Sequence, residues 1–327
     1  MNPSLTWLPS ASPTALQRRG ELLWKIREFF YRQGLLEVHT PVLSHDTVID
    51  RHIDPIALPG KNLALPELHQ STFYLQSSPE FCMKRLLAAG LPSMYQIAPV
   101  FRAGERGDFH NPEFTMIEWY RLGDDLQQSV HLLAELLRSV LAVEQVDQQT
   151  YQQVFQRHTG CDPLACSVAE LAAVASERKM GVDRGWSDDR DDWLNLLFSE
   201  AVQPELGAAQ PLIVTHYPAS QSALARVAGD DPRTAERYEL FIGGVELANG
   251  YHELLDAGEL EQRNHTVLAQ RAGDNKTSLP GDSRLLAAMR AGLPACSGCA
   301  LGFDRLLMVV ESAAHIDQVL AFPIERA

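Results

Sequence analysis

ERYELFIGGVELANGYHEL, residues 236 to 254, constrains the fold more than any other stretch of this chain. Two adjacent glycines between β-favouring runs are a two-residue hairpin signal, so Gly243 and Gly244 predict a tight turn between two antiparallel strands. The turn also sets the register, which pairs Ile242 with Val245, Phe241 with Glu246 and Glu239 with Ala248. Side chains alternate along a strand, so Glu239 and Glu246 share a face as diagonal neighbours, roughly 7–8 Å apart at the backbone. Two carboxylates so placed can share Mg²⁺, a hard ion that takes oxygen ligands; a solvated acidic sheet face is the alternative. Asn249, Tyr251 and Glu253 follow at spacing two. Strict alternation turns them away from Glu246, and a bulge at Gly250 would bring both sets to one pocket.

The flanking elements suit such a sheet. Ser12 and Pro13 read as an N-cap and first helical position, after which Leu22, Leu23, Ile26, Phe29 and Phe30 recur at helical spacing until Gly34. LEVHTPVL reads as a strand with Pro41 inside it, and hence as an edge or interface strand. TFYLQ is a strand, Ser78 and Pro79 open the helix EFCMKRLLAAG, and SMYQIAPVFR and EFTMIEWYR are further strands. A helix follows over DDLQQSVHLLAELLRSVLAVE. Helices are expected between about 142 and 210, with the acid cluster SDDRDD as a solvated helix start. PLIVTHYP is a strand, helices span about 257–272 and 282–291, and CALGFDRLLMVVE closes the chain as a strand, turn and helix. Hairpins and longer helical insertions between strands predict an α+β fold, an antiparallel sheet flanked by helices.

Composition sets limits on function. The chain has 327 residues, 45% hydrophobic and 21% charged, enough for a sizeable core. A formal charge of −14 argues against a broad phosphate-gripping surface for nucleic acid. No window approaches the roughly 18 apolar residues of a membrane span, and the N-terminus lacks a signal peptide's pattern, so a cytoplasmic protein with no membrane role is expected. The five cysteines fit reduced thiols. Cys296 and Cys299 form half of a zinc pattern, but Cys161 and Cys166 have the wrong spacing for the other half. There is no G-x-x-x-x-G-K-[ST] and no G-x-G-x-x-G after a strand, and HELLD at 252–256 lacks the second histidine of the zinc-protease motif.

Arg102 at a strand end and Arg305 at the start of the last helix could clamp phosphate oxygens, because a guanidinium offers forked donors that match them; surface ion pairs are the alternative for each. In EFTMIEWYR, Glu118 and Tyr120 share one face. With Glu80 they suit a small substrate carrying two amines, since buried cations require charged or hydrogen-bonding partners.

These segments resemble the class II aminoacyl-tRNA synthetases. GLLEVHTPVL is similar to that family's first motif, with Pro41 at the dimer-interface position; FRAGERGDFHNPEFTMIEWYR is similar to the second and ALGFDRLLMVV to the third. HNPEFTM, GGVELANGYHEL and SPEFCMKRLL resemble the lysine enzymes in particular. The chain starts just before the first motif, leaving no room for their N-terminal anticodon-binding domain, so residues 1–327 are expected to form one catalytic domain with a helical insertion around 122–210. This truncation, with serine at Ser78 and alanine at Ala300 where lysyl-tRNA synthetases usually have alanine and glycine, resembles the paralogues that ligate (R)-β-lysine to a lysine of elongation factor P.

The resemblance implies ATP and Mg²⁺ as cofactors, an aminoacyl-adenylate intermediate, (R)-β-lysine as substrate, elongation factor P as acceptor, a homodimer and no stable tRNA binding. It makes Arg102 and Arg305 the catalytic pair, holding the α-phosphate with the substrate carboxylate and the far phosphates respectively. Phe114 would stack on adenine, Asn111, Glu246, Leu247 and Gly302 would line the ATP site, and Glu239 and Glu246 would hold Mg²⁺. Glu80 would meet the amine near the carboxyl, and Tyr120 and Glu253 the terminal amine, with Glu118, Asn249 and Tyr251 completing the substrate site; Ser78 and Ala300 would shape the pocket for a displaced amino group. The order Arg102-Ala103-Gly104-Glu105 carries one residue more than the family's Arg-x-Glu. A role for Glu105 at the adenine amino group therefore requires a longer loop, which Gly104 permits. Charging of tRNA and silent amino-acid binding are the rival activities.

Overall fold

The computed structural model describes residues 7–327 except 142 and 184. In chain order its first elements are α1 (Pro13–Arg32), β1 (Leu36–Glu37), β2 (Leu43–Ser44), β3 (Ile56–Pro59), β4 (Thr72–Leu75), α2 (Glu80–Ala88), β5 (Met94–Phe101), β6 (Glu113–Leu122) and α3 (Leu126–Leu141). Then come β7 (Asp147–Thr150), α4 (Tyr151–Thr159), α5 (Val168–Glu177), α6 (Arg190–Leu197), β8 (Leu212–Pro218), β9 (Thr234–Ile242) and β10 (Val245–His252). The last are α7 (Ala257–Gly273), α8 (Arg284–Gly292), β11 (Cys296–Gly302) and α9 (Phe303–Glu311). Two compact units result: one runs up to Asp124 and resumes at Leu254–Ala327, the other is Asp125–Glu253.

In the first unit the strands run in the order β1-β5-β6-β11, antiparallel except for β1 beside β5, and β2-β4-β3 form a small separate sheet. Helix α1 starts as the sequence predicts, with Ser12 Oγ accepting from the Ala15 N–H and Pro13 in the first turn. It buries Leu22, Ile26, Phe29 and Phe30, and the Phe30 ring stacks on Tyr95 at 4.6 Å. Trp24 and Tyr31, seven residues apart, remain 60% and 82% exposed.

LEVHTPVL is not one strand. Val38 still donates to the Tyr95 carbonyl, but Pro41 has no N–H to continue the ladder, and the chain leaves β5 for β4, where the Val42 carbonyl accepts from Gln76. Pro41 therefore separates two short strands in two sheets.

The second unit orders its strands β10-β9-β8-β7, with β7 parallel to β8. The region that reads only as helical in sequence contains β7 as well as α4 to α6, which pack Tyr151, Phe155, Trp193 and Phe198 against Tyr217 and Phe241. Thr150 and Ser167 cap α4 and α5 through reciprocal capping boxes. The acid cluster is indeed a helix start, capped by Asp189, but it is not simply solvated: the Asp191 carboxylate accepts from Ser220 Oγ and Gln221 Nε2.

The hairpin turn has Gly243 and Gly244 at φ 57° and 78°, as a primed two-residue turn requires. Ile242 pairs with Val245 and Phe241 with Glu246 as predicted, but the next pairs are Leu240 with Ala248 and Glu239 with Asn249. The bulge lies at Leu247, not Gly250. Gly250 has another function: a Cβ there would stand 2.2 Å from Cζ of Tyr238, whose fully buried ring occupies that space and whose hydroxyl is 2.7 Å from Ser129 Oγ.

Candidate active site

In the first unit, β6 and the start of α2 bring Ser78, Glu80, Glu118 and Tyr120 together, all buried. Helix α2 begins at Glu80, one residue later than the sequence suggests, and Ser78 Oγ accepts from the Glu80 N–H at 3.0 Å. The same hydroxyl donates to Glu118 Oε2 at 2.7 Å, and Tyr120 donates to Glu118 Oε1 at 2.6 Å, as expected of residues two apart on a strand. Ala300 on β11 lies directly opposite Glu118 in register. Lys84, 1% exposed, donates to Glu80 Oε1 at 2.6 Å. Burial, and next the charge of Glu80, push the Glu118 carboxyl from 4.5 up to about 7, against the hydrogen bonds from Tyr120 and Ser78 and the charge of Lys84.

The loop between β5 and β6 organises the arginine end. Arg102 follows β5, its N–H donates to the Pro112 carbonyl, and its guanidinium lies 5.1 Å from the centre of the Phe114 ring, a cation–π placement. Glu105 is 3.7 Å from it across a turn in which Gly104 takes φ 76°, so the glycine does accommodate the longer loop. Arg102 Nε is a buried donor with no hydrogen-bond partner, an arrangement that suits an anion. Gly302 closes β11 and caps α9, on which Arg305 donates to the Phe109 carbonyl and, at 2.6 Å, to His110 Nε2. Burial, followed by the charge of Arg305, holds His110 below its ordinary 6.5, so a neutral ring accepts this bond. Asn111 turns its amide inward, donating to the Glu113 carbonyl and accepting from the Ile324 N–H.

Behind Arg102, fully buried Arg271 of α7 donates to the carbonyls of Asp50, Ile53 and Thr277 and to Asp54 Oδ1, and the Asp54 carbonyl accepts from the Ala103 N–H. Asp304 accepts from Arg19 and from the Thr115 N–H, tying the start of α9 to β6.

In the second unit the bulge at Leu247 puts Glu246, Asn249 and Tyr251 on the face of Glu239. Leu247 is itself the extra, buried residue. Glu239 accepts from Tyr217 at 2.6 Å and from Arg237, whose Nε also donates to Asn249 Oδ1 at 3.2 Å; Asn249 Nδ2 donates to Tyr251 Oη at 2.9 Å. The Arg237 guanidinium lies 4.6 Å from the Tyr217 ring centre. Burial works against its charge, but the nearby carboxylates and phenols, led by Glu239, outweigh that and raise its pKa. Glu253 is buried just after β10 and bridges to Ala225.

The cysteines do not form a cluster. Cys296 and Cys299, three apart on β11, face opposite sides, and among the described residues no group of three or more His, Cys, Asp or Glu could hold a metal. The thiol of Cys161 is pushed up to about 12 by burial and by its bond to Cys166.

A family model described as tRNA synthetases class II (D, K and N) matches residues 4–326. This chain belongs to that family. The class II synthetase elements that resemble its second and third motifs are thus β5, the Arg102 loop and β6, and β11 with α9. Relatives named elongation factor P-(R)-beta-lysine ligase are 41% identical in Salmonella arizonae and 43% in Sodalis glossinidius, covering all of both chains. One from Haemophilus ducreyi with the same name is 44% identical over 99% of this chain and 98% of its own.

Sequence reasoning missed Lys84, Arg237, His110 and Arg271. A signal existed for two of them: Lys84 stands four residues after Glu80 on a helix, and Arg237 two before Glu239 on a strand.

Proposed function

We propose that this class II synthetase relative activates (R)-β-lysine with ATP and transfers it to a lysine side chain of translation elongation factor P. One observation carries the reading: two buried acids, Glu118, hydrogen-bonded by two hydroxyls, and Glu80, bonded to Lys84, have between them a single buried ammonium. Such a site has charge to offer a substrate ammonium. The full-length relatives bearing the ligase name support the choice of amino acid and acceptor.

ATP fits the first unit through Arg102, whose buried Nε donor has no partner and would meet a phosphate oxygen, with Phe114 at the adenine, Gly302 leaving room beside it and Arg305 at the outer phosphates. Asn111 would act by holding the loop, since its amide is already bonded, and Glu105 would turn toward the base. Glu239 and Glu246 fit Mg²⁺ by donor chemistry: a carboxylate offers about four lone-pair sites, and Glu239 uses one oxygen each for Arg237 and Tyr217. Bound there, Mg²⁺ would neutralise phosphate charge. Glu80 and Glu118 would bind amine, with Ser78, Tyr120 and Ala300 shaping the pocket; Asn249, Tyr251 and Glu253 are the substrate contacts assigned to the second unit.

The substrate carboxylate attacks the α-phosphorus, pyrophosphate leaves, and the acceptor's neutral amine then displaces AMP and loses a proton. Position and charge do the chemistry, with no side-chain nucleophile. A second copy of the chain would cover Trp24 and Tyr31 of α1. The reaction is placed in the cytoplasm, where a translation factor is met, and no stable tRNA binding is expected.

Amino-acid-dependent ATP–pyrophosphate exchange tests this. Exchange strongest with (R)-β-lysine, followed by labelling of elongation factor P, is the expected result. Exchange only with α-lysine would turn the reading to tRNA charging, and ligand binding without exchange to a silent paralogue.

A further inference from the structure

A lysine buried inside an amine-binding pocket is at first sight misplaced. Lys84 is 1% exposed, bonded at 2.6 Å to Glu80, and its ammonium lies 5.8 Å from the centre of the Tyr120 ring. The charges that act most on Glu118 are those of Glu80 and Lys84, and its hydrogen-bond donors Ser78 and Tyr120 are neutral hydroxyls. With both acids ionised the cluster carries two negative charges and one positive, a net charge of about −1. A diamino acid with both amines protonated and its carboxylate ionised carries +1, and a straight-chain diamine without the carboxylate carries +2. Each therefore calls for a different count of buried charge, because a buried charge left uncompensated is costly.

We propose that Lys84 is a specificity-determining positioning residue: it holds Glu80 in place and keeps the pocket one negative charge short, so that the pocket accepts a diamino acid and rejects the bare diamine. The inference rests on the assignment of this cluster to the amino-acid substrate. It explains why two acids that could bind two amines are accompanied by a third, internal ammonium. It also gives Tyr120 a second duty, its ring facing the Lys84 charge while its hydroxyl serves Glu118.

The test uses 1,5-diaminopentane and (R)-β-lysine as calorimetric ligands at pH 8.5, where Glu118 is ionised, with exchange kinetics alongside. In Lys84→Met, diamine affinity should rise and (R)-β-lysine affinity fall, moving their ratio by roughly 10-fold or more, as expected when one buried charge is removed from a recognition site. The KM for the amino acid should rise more than kcat falls, and the KM for ATP should stay near its original value. Lys84→Arg should restore the original preference. The double variant Glu80→Gln with Lys84→Met returns the count to −1, with Glu118 as its one remaining charge, and should lose the diamine preference even where the single variant folds poorly. An unchanged diamine ratio in folded Lys84→Met, or a diamine preference that persists in the double variant, overturns the proposal. Diamine binding is read without turnover. Absence of exchange in the unmodified protein would therefore count against the ligase reading alone, while the ratio still decides the role of Lys84.

Discussion

Glu118 and Glu239 are both buried carboxylates on strands, each hydrogen-bonded by a tyrosine, yet they are held in opposite ways. Glu118 has hydroxyls at both oxygens, and burial lifts its pKa to about 7. Glu239 has Arg237 at one oxygen and Tyr217 at the other. Hydroxyl partners satisfy an acid's lone pairs without supplying charge, so the first site, where Lys84 is bonded to Glu80, still lacks a cation at the oxygens of Glu118. A guanidinium supplies charge, so the second acid is tied into an ion pair within the protein. The first arrangement suits recognition of an amine that arrives and leaves, the second a permanent electrostatic fixture.

Cutting the second acid away should have the largest effect. Glu239→Ala leaves the Arg237 charge buried without its carboxylate and should lower folding stability by about 3 kcal/mol or more, read from urea unfolding. An unchanged midpoint would break the comparison. Next is pH. Because the folded pKa of Glu118 is raised above 4.5, the stability that its neutral form contributes is fully present below about 4.5 and is lost as pH rises through about 7. The loss is at most about 1.4 kcal/mol per pH unit across that window, and Glu118→Gln should flatten it in unfolding curves measured from pH 4 to 8. A variant with the same slope would remove Glu118 as its source.

The two tyrosines sharpen the contrast further. Tyr217→Phe should cost about 1.5–2 kcal/mol through its bond to a charged acceptor. Tyr120→Phe should instead shift the titration of Glu118 upward, since its bond favours the ionised form; a carboxyl-resolved NMR titration shows which occurs. The smallest effect is expected at Asn249→Ala, about 1 kcal/mol, because Arg237 keeps Glu239 and the Gln221 carbonyl. Thermal denaturation with calorimetric enthalpy would reveal a larger role.

How far these features can be read from the sequence depends on how local their causes are. Glu118 with Tyr120, and the Gly243–Gly244 turn with its first two pairs, follow from period-two alternation and turn chemistry, and the structure reproduces them. The bulge could be anticipated but not located. Gly250 has the right composition for one, but its lack of a side chain makes room for the Tyr238 ring, which is anchored beside Ser129 about 110 residues earlier in the chain. Pro41 announced a boundary, yet only the carbonyl of Val42 meeting Gln76 shows that the chain passes there from one sheet to another. Arg271 gave no readable signal, because its partners are mostly backbone carbonyls of a loop some 220 residues away.

The extra residue at Leu247 has a consequence for how this gene can vary. Its side chain can be exchanged for others of similar bulk, and even loss of its codon would leave Ala248 opposite Leu240 and Asn249 opposite Glu239, now in regular pairing. An in-frame insertion between Ala248 and Asn249, with pairing kept regular, would instead turn Asn249 and Tyr251 off the face of Glu239, so β10 tolerates a lost residue here better than a gained one.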